Sequence, residues 1–323
     1  MTAAITATPS WLVHAGDLPE HEHHYPPPFD GEKLAFERNL GKATGSVTLG
    51  LRLGRLPPGR RTGFTHAHSA EEELMYVLAG ECLARVIAPG QPAQEVPVRA
   101  GHTLAFPAGT GVAHTFVNRG PGDCLVLVTG ERRKEDRVFY PDDPAYDAHL
   151  AATEPEEWWR RAPGEGAGVS AAWLVHAADV PEVEGHYPAP FDAERLSLGR
   201  DLGRALGSVK LGLWQERIPP GRRTSFTHAH STEEELVYVL DGECAVRVVE
   251  PGRPARDLPL RAGHALAFPA GTGIAHTFVN RGTGDCVVLA VGERRADDRV
   301  FYPEDLAYDA HFAATRPARW WKR

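Results

Sequence analysis

The chain has little thiol chemistry to offer. Its four cysteines, Cys82, Cys124, Cys244 and Cys286, include no Cys-x-x-Cys pair. That argues against a thiolate zinc site, whose ligands come at such short spacings. All four lie in strand-like runs, so the sequence predicts reduced thiols packed as small hydrophobes. A Cys82–Cys124 bridge with a Cys244–Cys286 twin is the alternative. Excess positive charge is also missing. The net charge is −8, which argues against nucleic acid as a partner, since a broad footprint on phosphates needs a basic face. No apolar run approaches a membrane span, so no membrane association is expected. Met1–Ser10 lacks a basic run followed by an apolar one, so no signal peptide is expected. The resulting expectation is a cytoplasmic protein.

What the chain does have is itself, twice. Trp11, His66, His114 and Trp158 recur as Trp173, His228, His276 and Trp320, each twin 162 residues downstream. A repeat unit of that length is a domain, because solenoid periods run roughly 20 to 50 residues. The sequence predicts a first domain over 9–161, a Gly-rich linker over 162–169 and a second domain over 170–323. Each is long enough to close its own core.

Within each copy, short β-rich runs alternate with Pro and Gly. Ser46–Leu53, Glu73–Leu78, Cys82–Ile87, Thr103–Phe106, His114–Val117 and Cys124–Thr129 are the strand candidates. Many short strands separated by turns predict an all-β sandwich or barrel. Helix is expected near the end of each copy, over Ala145–Thr153 with Pro155–Arg161 and over their twins Ala307–Thr315 with Pro317–Arg323. Pro28–Leu40 and Pro190–Leu202 read either way.

Side chains alternate along a strand. In Phe64-Thr-His66-Ala-His68 the two histidines therefore share a face with Phe64. On the same rule Glu73 shares a face with Met75 and Val77, and His114 with Phe116 and Asn118. A barrel interior carrying two adjacent histidines, a carboxylate and a third histidine is costly unless those groups are satisfied. One divalent metal satisfies all four.

The stretch Gly59-Arg-Arg-Thr-Gly-Phe-Thr-His66-Ala-His68-Ser-Ala-Glu-Glu-Glu73, continuing to Gly80, resembles the first cupin motif. Gly101 to Asn118, through Pro107, Gly109 and His114, resembles the second. Gly221–Gly242 and Gly263–Asn280 repeat both. Two such copies resemble the bicupins, a group that spans oxalate decarboxylases, gentisate-type and quercetin-type dioxygenases, and seed storage globulins. The resemblance implies two tandem double-stranded β-helix (jelly-roll) barrels with short C-terminal helices. It implies metal ligands His66, His68, Glu73 and His114 in site one, and His228, His230, Glu235 and His276 in site two. In the family pattern six residues separate the acid from a turn glycine. Gly80 meets that count from Glu73, and Gly242 from Glu235. The loop between Gly109 and His114 is longer than the family pattern.

Three imidazoles and one carboxylate suit Fe, Mn, Ni, Cu or Zn without choosing among them. The expectation is one divalent transition metal per domain. The first functional reading is a dioxygenase-like oxidoreductase acting on a small oxygenated substrate. The alternatives are a non-oxidative metal-dependent decarboxylase, isomerase or lyase, and a non-catalytic binding or storage module. Sheet edges make a homodimer plausible, unless the two barrels pair with each other.

Secondary expectations follow from the repeats. His102 and His264 read as exposed turn histidines. Arg61 and Arg223 read as solvated turn arginines, with an anionic substrate as the alternative partner. Tyr25 and Phe29, with Tyr187 and Phe191, are expected to pack an arm across each barrel. Trp158-Trp159 and Trp320-Trp321 are expected to pack against a barrel or a partner subunit. Glu72 and Glu234 should point away from the sites. Thr48, Arg52, Leu53, Gly54, Met75 and Val128 align with Lys210, Trp214, Gln215, Glu216, Val237 and Ala290. The two pockets should therefore differ in size.

Overall fold

The computed structural model describes residues 9–160 and 173–322; the linker expected over 162–169 and the domain junctions beside it lie outside the described residues. The fold is all-β, with two jelly-roll barrels in tandem. Each barrel joins a seven-stranded antiparallel sheet to a three-stranded one and a two-stranded ribbon. In the first, the large sheet runs Leu174–His176, His102–Phe106, Glu73–Ala79, Cys124–Glu131, Leu49–Leu56, Phe36–Asn39, His21–Glu22.

The leading strand of that sheet belongs to the second copy. Leu174–His176 pairs with His102–Phe106, and Leu12–His14 pairs reciprocally with His264–Phe268. Each half thus completes the other's sheet. Trp11 packs 5.7 Å from Phe268, and Trp173 lies 6.4 Å from Phe106. An exposed edge is covered on each sheet by this exchange.

Strand parity explains why Glu73–Ala79 reads as a nearly continuous apolar run. Met75 and Val77 fill the first barrel. Leu74 and Tyr76 face outward into a second core, where they join Leu49, Leu51, Leu53 and Leu127. That core is shared with Leu211, Leu213, Leu236 and Leu289 of the other half. The two large sheets therefore pack face to face, and the strand is buried on both sides. Gln215 continues the pattern, donating to the Tyr76 hydroxyl at 2.9 Å.

The terminal helices form at Pro144–Thr153 and Leu306–Thr315. The expected continuation over Pro155–Arg161 and its twin is not helical as far as Arg160 and Lys322, where the described residues end. Trp158 instead bridges to Val138 as a parallel pair and donates its indole N–H to Asp147 at 3.1 Å. Proline at 155 removes a helical donor and turns the chain back onto the barrel. The strand expected from Ser46 begins at Leu49, because residues 46–48 form the turn that meets the other half. Gln94–Arg99, not anticipated, completes the small sheet. All four cysteines are free and buried, with Cys82 and Cys124 sulfurs 3.2 Å apart. No helix among the described residues is long and apolar enough to cross a membrane.

Candidate metal centre

In each barrel, three histidines and a glutamate meet. His66 and His114 pair backbone to backbone, N–H to carbonyl at 3.1 and 2.9 Å in the two directions. Directly opposed residues on antiparallel strands hold their side chains close, and the two imidazole centroids lie 5.0 Å apart. His68, two residues along, lies 5.0 Å from His66 on the same face. Glu73 enters from the large sheet, where it is paired with Gly130. A Cβ at Gly130 would lie 3.3 Å from the Glu73 Cγ, so glycine there leaves the carboxylate its space. His66, His68 and Glu73 each bring a ligand atom within 4.8 Å of the others, as do His228, His230 and Glu235. His114 joins through Glu73, with its Nε2 2.6 Å from Oε2.

The outer faces of the rings are fixed. His66 Nδ1 donates to the Phe64 carbonyl at 2.8 Å, and His68 Nδ1 donates to Asp136 at 2.6 Å. In site two, His228 meets the Phe226 carbonyl at 2.9 Å and His230 meets Asp298 at 2.7 Å. These bonds leave each Nε2 facing the centre, the arrangement that orients metal-binding imidazoles. Phe106 stacks on His114 at 3.6 Å and Phe268 on His276 at 3.5 Å, fixing the third ring.

Outside the His114–Glu73 pair of site one, the donors do not satisfy one another. In site two, Oε2 of Glu235 lies 4.0, 3.6 and 3.0 Å from the Nε2 atoms of His228, His230 and His276. Yet it is buried without an acceptable hydrogen bond. A buried unpaired oxygen ringed by imidazole nitrogens is what a cation would relieve. The residues fit a divalent metal.

Electrostatics agree with the geometry. Burial, aided by the charges of His68 and His114, drives His66 down to about 3, so it is neutral at pH 7. Burial opposes charge on His68 as well, but the Asp136 hydrogen bond and the Glu73 charge raise it to about 9. Burial also disfavours the Glu73 anion, and the His114 bond with the three imidazoles outweighs this and holds it well below the carboxylate range. His228, His230 and Glu235 repeat the pattern.

Asp136 and Asp298 had no motif to announce them, since they lie 68 residues from the histidines they hold. Their one signal was recurrence in both copies. Glu72 and Glu234 do point away, and they have a task. Glu72 accepts the backbone N–H groups of Val209, Lys210 and Leu211 and the Ser208 hydroxyl. Glu234 accepts those of Val47, Thr48 and Leu49 and the Thr48 hydroxyl. The residue before each acidic site residue thus clamps a turn of the opposite barrel.

Two expectations are corrected. Arg61 is no solvated arginine: it is part-buried, pairs with Glu32 at 2.7 Å and Asp143 at 3.1 Å, and lies 4.7 Å over Phe64. Arg223 does the same with Glu194, Asp305 and Phe226. Acidic neighbours from the arm and the helix start use up both guanidinium groups. His102 and His264 are half-buried at the strand exchange, edge-on to His176 and His14 at 4.9 Å. The arms pack as expected, with Tyr25 stacked 3.8 Å from Phe64 and Tyr187 3.8 Å from Phe226.

The pockets differ as the aligned substitutions suggested. Site two opens into one cavity of about 740 Å³, while the space around site one is split into parts of about 300 and 210 Å³. Val237 and Ala290 line the larger space where Met75 and Val128 crowd the smaller. Glu216 also lines it; burial pushes this carboxyl up to about 7, against a Ser197 hydrogen bond and with the Glu235 charge adding to the rise.

The cupin domain model matches residues 52–130 and 214–292. The chain is a bicupin of the cupin superfamily. No curated protein matches the bicupin in sequence. Among solved structures it is similar to the formate complex of Lactobacillus farciminis oxalate decarboxylase, at 15% identity and a TM-score of 0.62, over 97% of this chain and 95% of that one. It is also similar to Bacillus subtilis oxalate decarboxylase at pH 4.6, at 16% identity and 0.61, over 97% and 85%. At these identities the likeness speaks for the fold.

Proposed function

We propose that this bicupin is a metal-dependent enzyme acting without net oxidation on a small carboxylic acid, as a decarboxylase or lyase. The observation that carries the reading is the convergent set in each barrel, His66, His68, Glu73 and His114 with its twin His228, His230, Glu235 and His276. Four donors aimed inward, with two imidazoles of each site held by outer hydrogen bonds and the third by a stacked phenylalanine, suit one divalent cation per site. Such an ion acts as a Lewis acid toward a bound oxygen ligand.

The protein's own residues do the rest. Asp136 and Asp298 fix the tautomer and tilt of His68 and His230. Arg294, Arg295 and Arg319 line the larger cavity beside Glu216, Glu233, Glu235 and Glu293, and offer guanidinium groups that a substrate carboxylate can pair with. Arg319 stands where the first copy has Glu157. Similarity to oxalate decarboxylases supports this reading over the dioxygenase one. A cavity of about 740 Å³ with Val237, Val288 and Phe278 on its wall also leaves room for an aromatic ring, which keeps an O₂-using reaction as the second reading. Four buried free thiols suit the reducing cytoplasm.

The test is metal-loaded protein assayed in parallel for CO₂ release and O₂ uptake against hydroxy acids, keto acids, catechols and hydroxybenzoates. CO₂ release from an acid without O₂ consumption is expected. Stoichiometric O₂ uptake with a catechol would reverse the preference.

A further inference from the structure

One cross-strand pair differs between the barrels in a telling way. In the first, Glu37 faces Gly54; in the second, Gly199 faces Glu216. Each pocket thus receives one carboxylate at the same place, but from opposite strands. In the first barrel Arg52 lies 3.6 Å from Glu37, and His23 lines the same pocket. In the second, Trp214 replaces that arginine and Gly185 replaces that histidine. Glu216 has no ion-pair partner of that kind: burial, the Ser197 hydroxyl and the Glu235 charge are what act on it, and Arg295 shares the wall of its cavity.

The surrounding substitutions fit the exchange. Ala35 of the first copy becomes Ser197, whose hydroxyl donates to Glu216 Oε2 at 2.6 Å. Gly199 keeps the room: a Cβ there would lie 3.2 Å from Trp214 Cε3 and 3.9 Å from Glu216 Cγ. Glu216 then borders the cavity that also holds His228, Glu235 and His276.

We propose that Glu216 is the proton-carrying catalytic residue of the second site, and that the first site, with Gly54 in its place, does not turn over. The inference rests on the reading of the second site as a metal-dependent decarboxylase or lyase centre. In a decarboxylation, the bond between the carboxylate carbon and its neighbour breaks, and CO₂ departs. The electron pair stays on the neighbouring carbon and takes the Glu216 proton, forming a C–H bond. Glu216 is left as a carboxylate and regains its proton from water, so atoms and charge balance and no oxidant is needed. Ser197 orients the acid and is a positioning residue.

The groups facing Glu216 are Glu235, His228 and His276 from the site, Ser197 from the neighbouring strand, and Glu233 and Arg295 on the same cavity wall. Their charges shift the pH at which Glu216 loses its proton, so the variant comparison, more than any absolute value, carries the test.

The experiment compares wild type, Glu216→Gln, Glu216→Asp and Gly54→Ala, each loaded with metal. Metal content per chain, thermal melting and kcat against pH are measured with the acid found to turn over. Glu216→Gln should keep its metal and its melting temperature while kcat falls about 10²–10⁴-fold, the usual contribution of a positioned acid. The limb of the wild-type pH profile that belongs to Glu216 should be missing in that variant. Glu216→Asp should restore part of the rate, and Gly54→Ala should change little. A Glu216→Gln variant with full metal and kcat within twofold of wild type, while His228→Ala is dead, overturns the assignment of Glu216 alone. A metal-loaded wild type that turns over no acid overturns the reading beneath it and this inference together.

Discussion

Replacing Glu234 by alanine tests how the two barrels hold each other. Its carboxylate takes the Val47, Thr48 and Leu49 N–H groups at 2.7–3.1 Å. Val47 is 66% exposed, so its N–H can turn to water. Leu49 is fully buried and Thr48 partly so; their donors are left orphaned. A hydrogen bond to a charged group contributes about 1.5–3 kcal/mol, so two lost bonds amount to about 3–6 kcal/mol. At about 2–4 °C per kcal/mol for domains of this size, melting should fall by on the order of 10 °C. Glu72→Ala should behave alike through Val209, Lys210 and Leu211. Glutamine at either position keeps an acceptor and should cost about half as much. Calorimetry on the metal-free chain checks this. A shift below about 2 °C for both alanine variants would refute the clamp. Because Glu234 precedes Glu235, metal affinity at site two should also drop in Glu234→Ala.

Other outcomes follow from the same geometry. The exchange of Leu12–His14 and Leu174–His176 between sheets predicts one cooperative unfolding transition; two resolved transitions would contradict the shared core. His228→Ala should lose one metal per chain and nearly all turnover, whereas His66→Ala should lose one metal and little rate; equal losses of rate would remove the division of labour. His68 and His230 are held protonated to about 9, and a metal needs the free Nε2. Metal affinity should therefore climb from pH 6 to 9, with about one proton released per site at pH 7, counted by calorimetry in two buffers. In the metal-free chain the sign is opposite. The raised pKa means that the His68–Asp136 pair stabilises fully below about 6.5, the free-histidine value, and that this stabilisation is lost as pH passes about 9. Thiol titration should find four reactive cysteines in denaturant and almost none in the native protein, consistent with four buried free thiols.

Much of the site was legible because its residues follow period-two alternation and are written twice. His66 and His68 share a face, Glu73 is the inward residue of its strand, and the structure joins them to His114. The pocket asymmetry was legible as well, from Met75 against Val237 and Val128 against Ala290. What alternation could not supply was partners distant in sequence. Asp136 reaches His68 from the segment that leads into the strand paired beside it, and no local pattern encodes that approach. Glu216 stood in plain view as the counterpart of Gly54, but its value lies in Ser197 and Gly199 on the neighbouring strand, which only the register reveals. The double burial of Glu73–Ala79 came from a second sheet supplied by the other half, and a one-barrel reading has no place for it. Arg61 was misjudged because its acids, Glu32 and Asp143, lie in an arm and at a helix start.

The most direct test is crystallographic. Crystals of the chain grown with Mn(II) or Fe(II), with data collected at the metal's absorption edge, should show two anomalous peaks per chain. One should be ringed by His66, His68, Glu73 and His114, the other by His228, His230, Glu235 and His276, with nitrogen and oxygen ligands at about 2.0–2.3 Å. Full-strength data with no peak at either centre, or with peaks only on surface carboxylates, would contradict the claim that these residues share a cation.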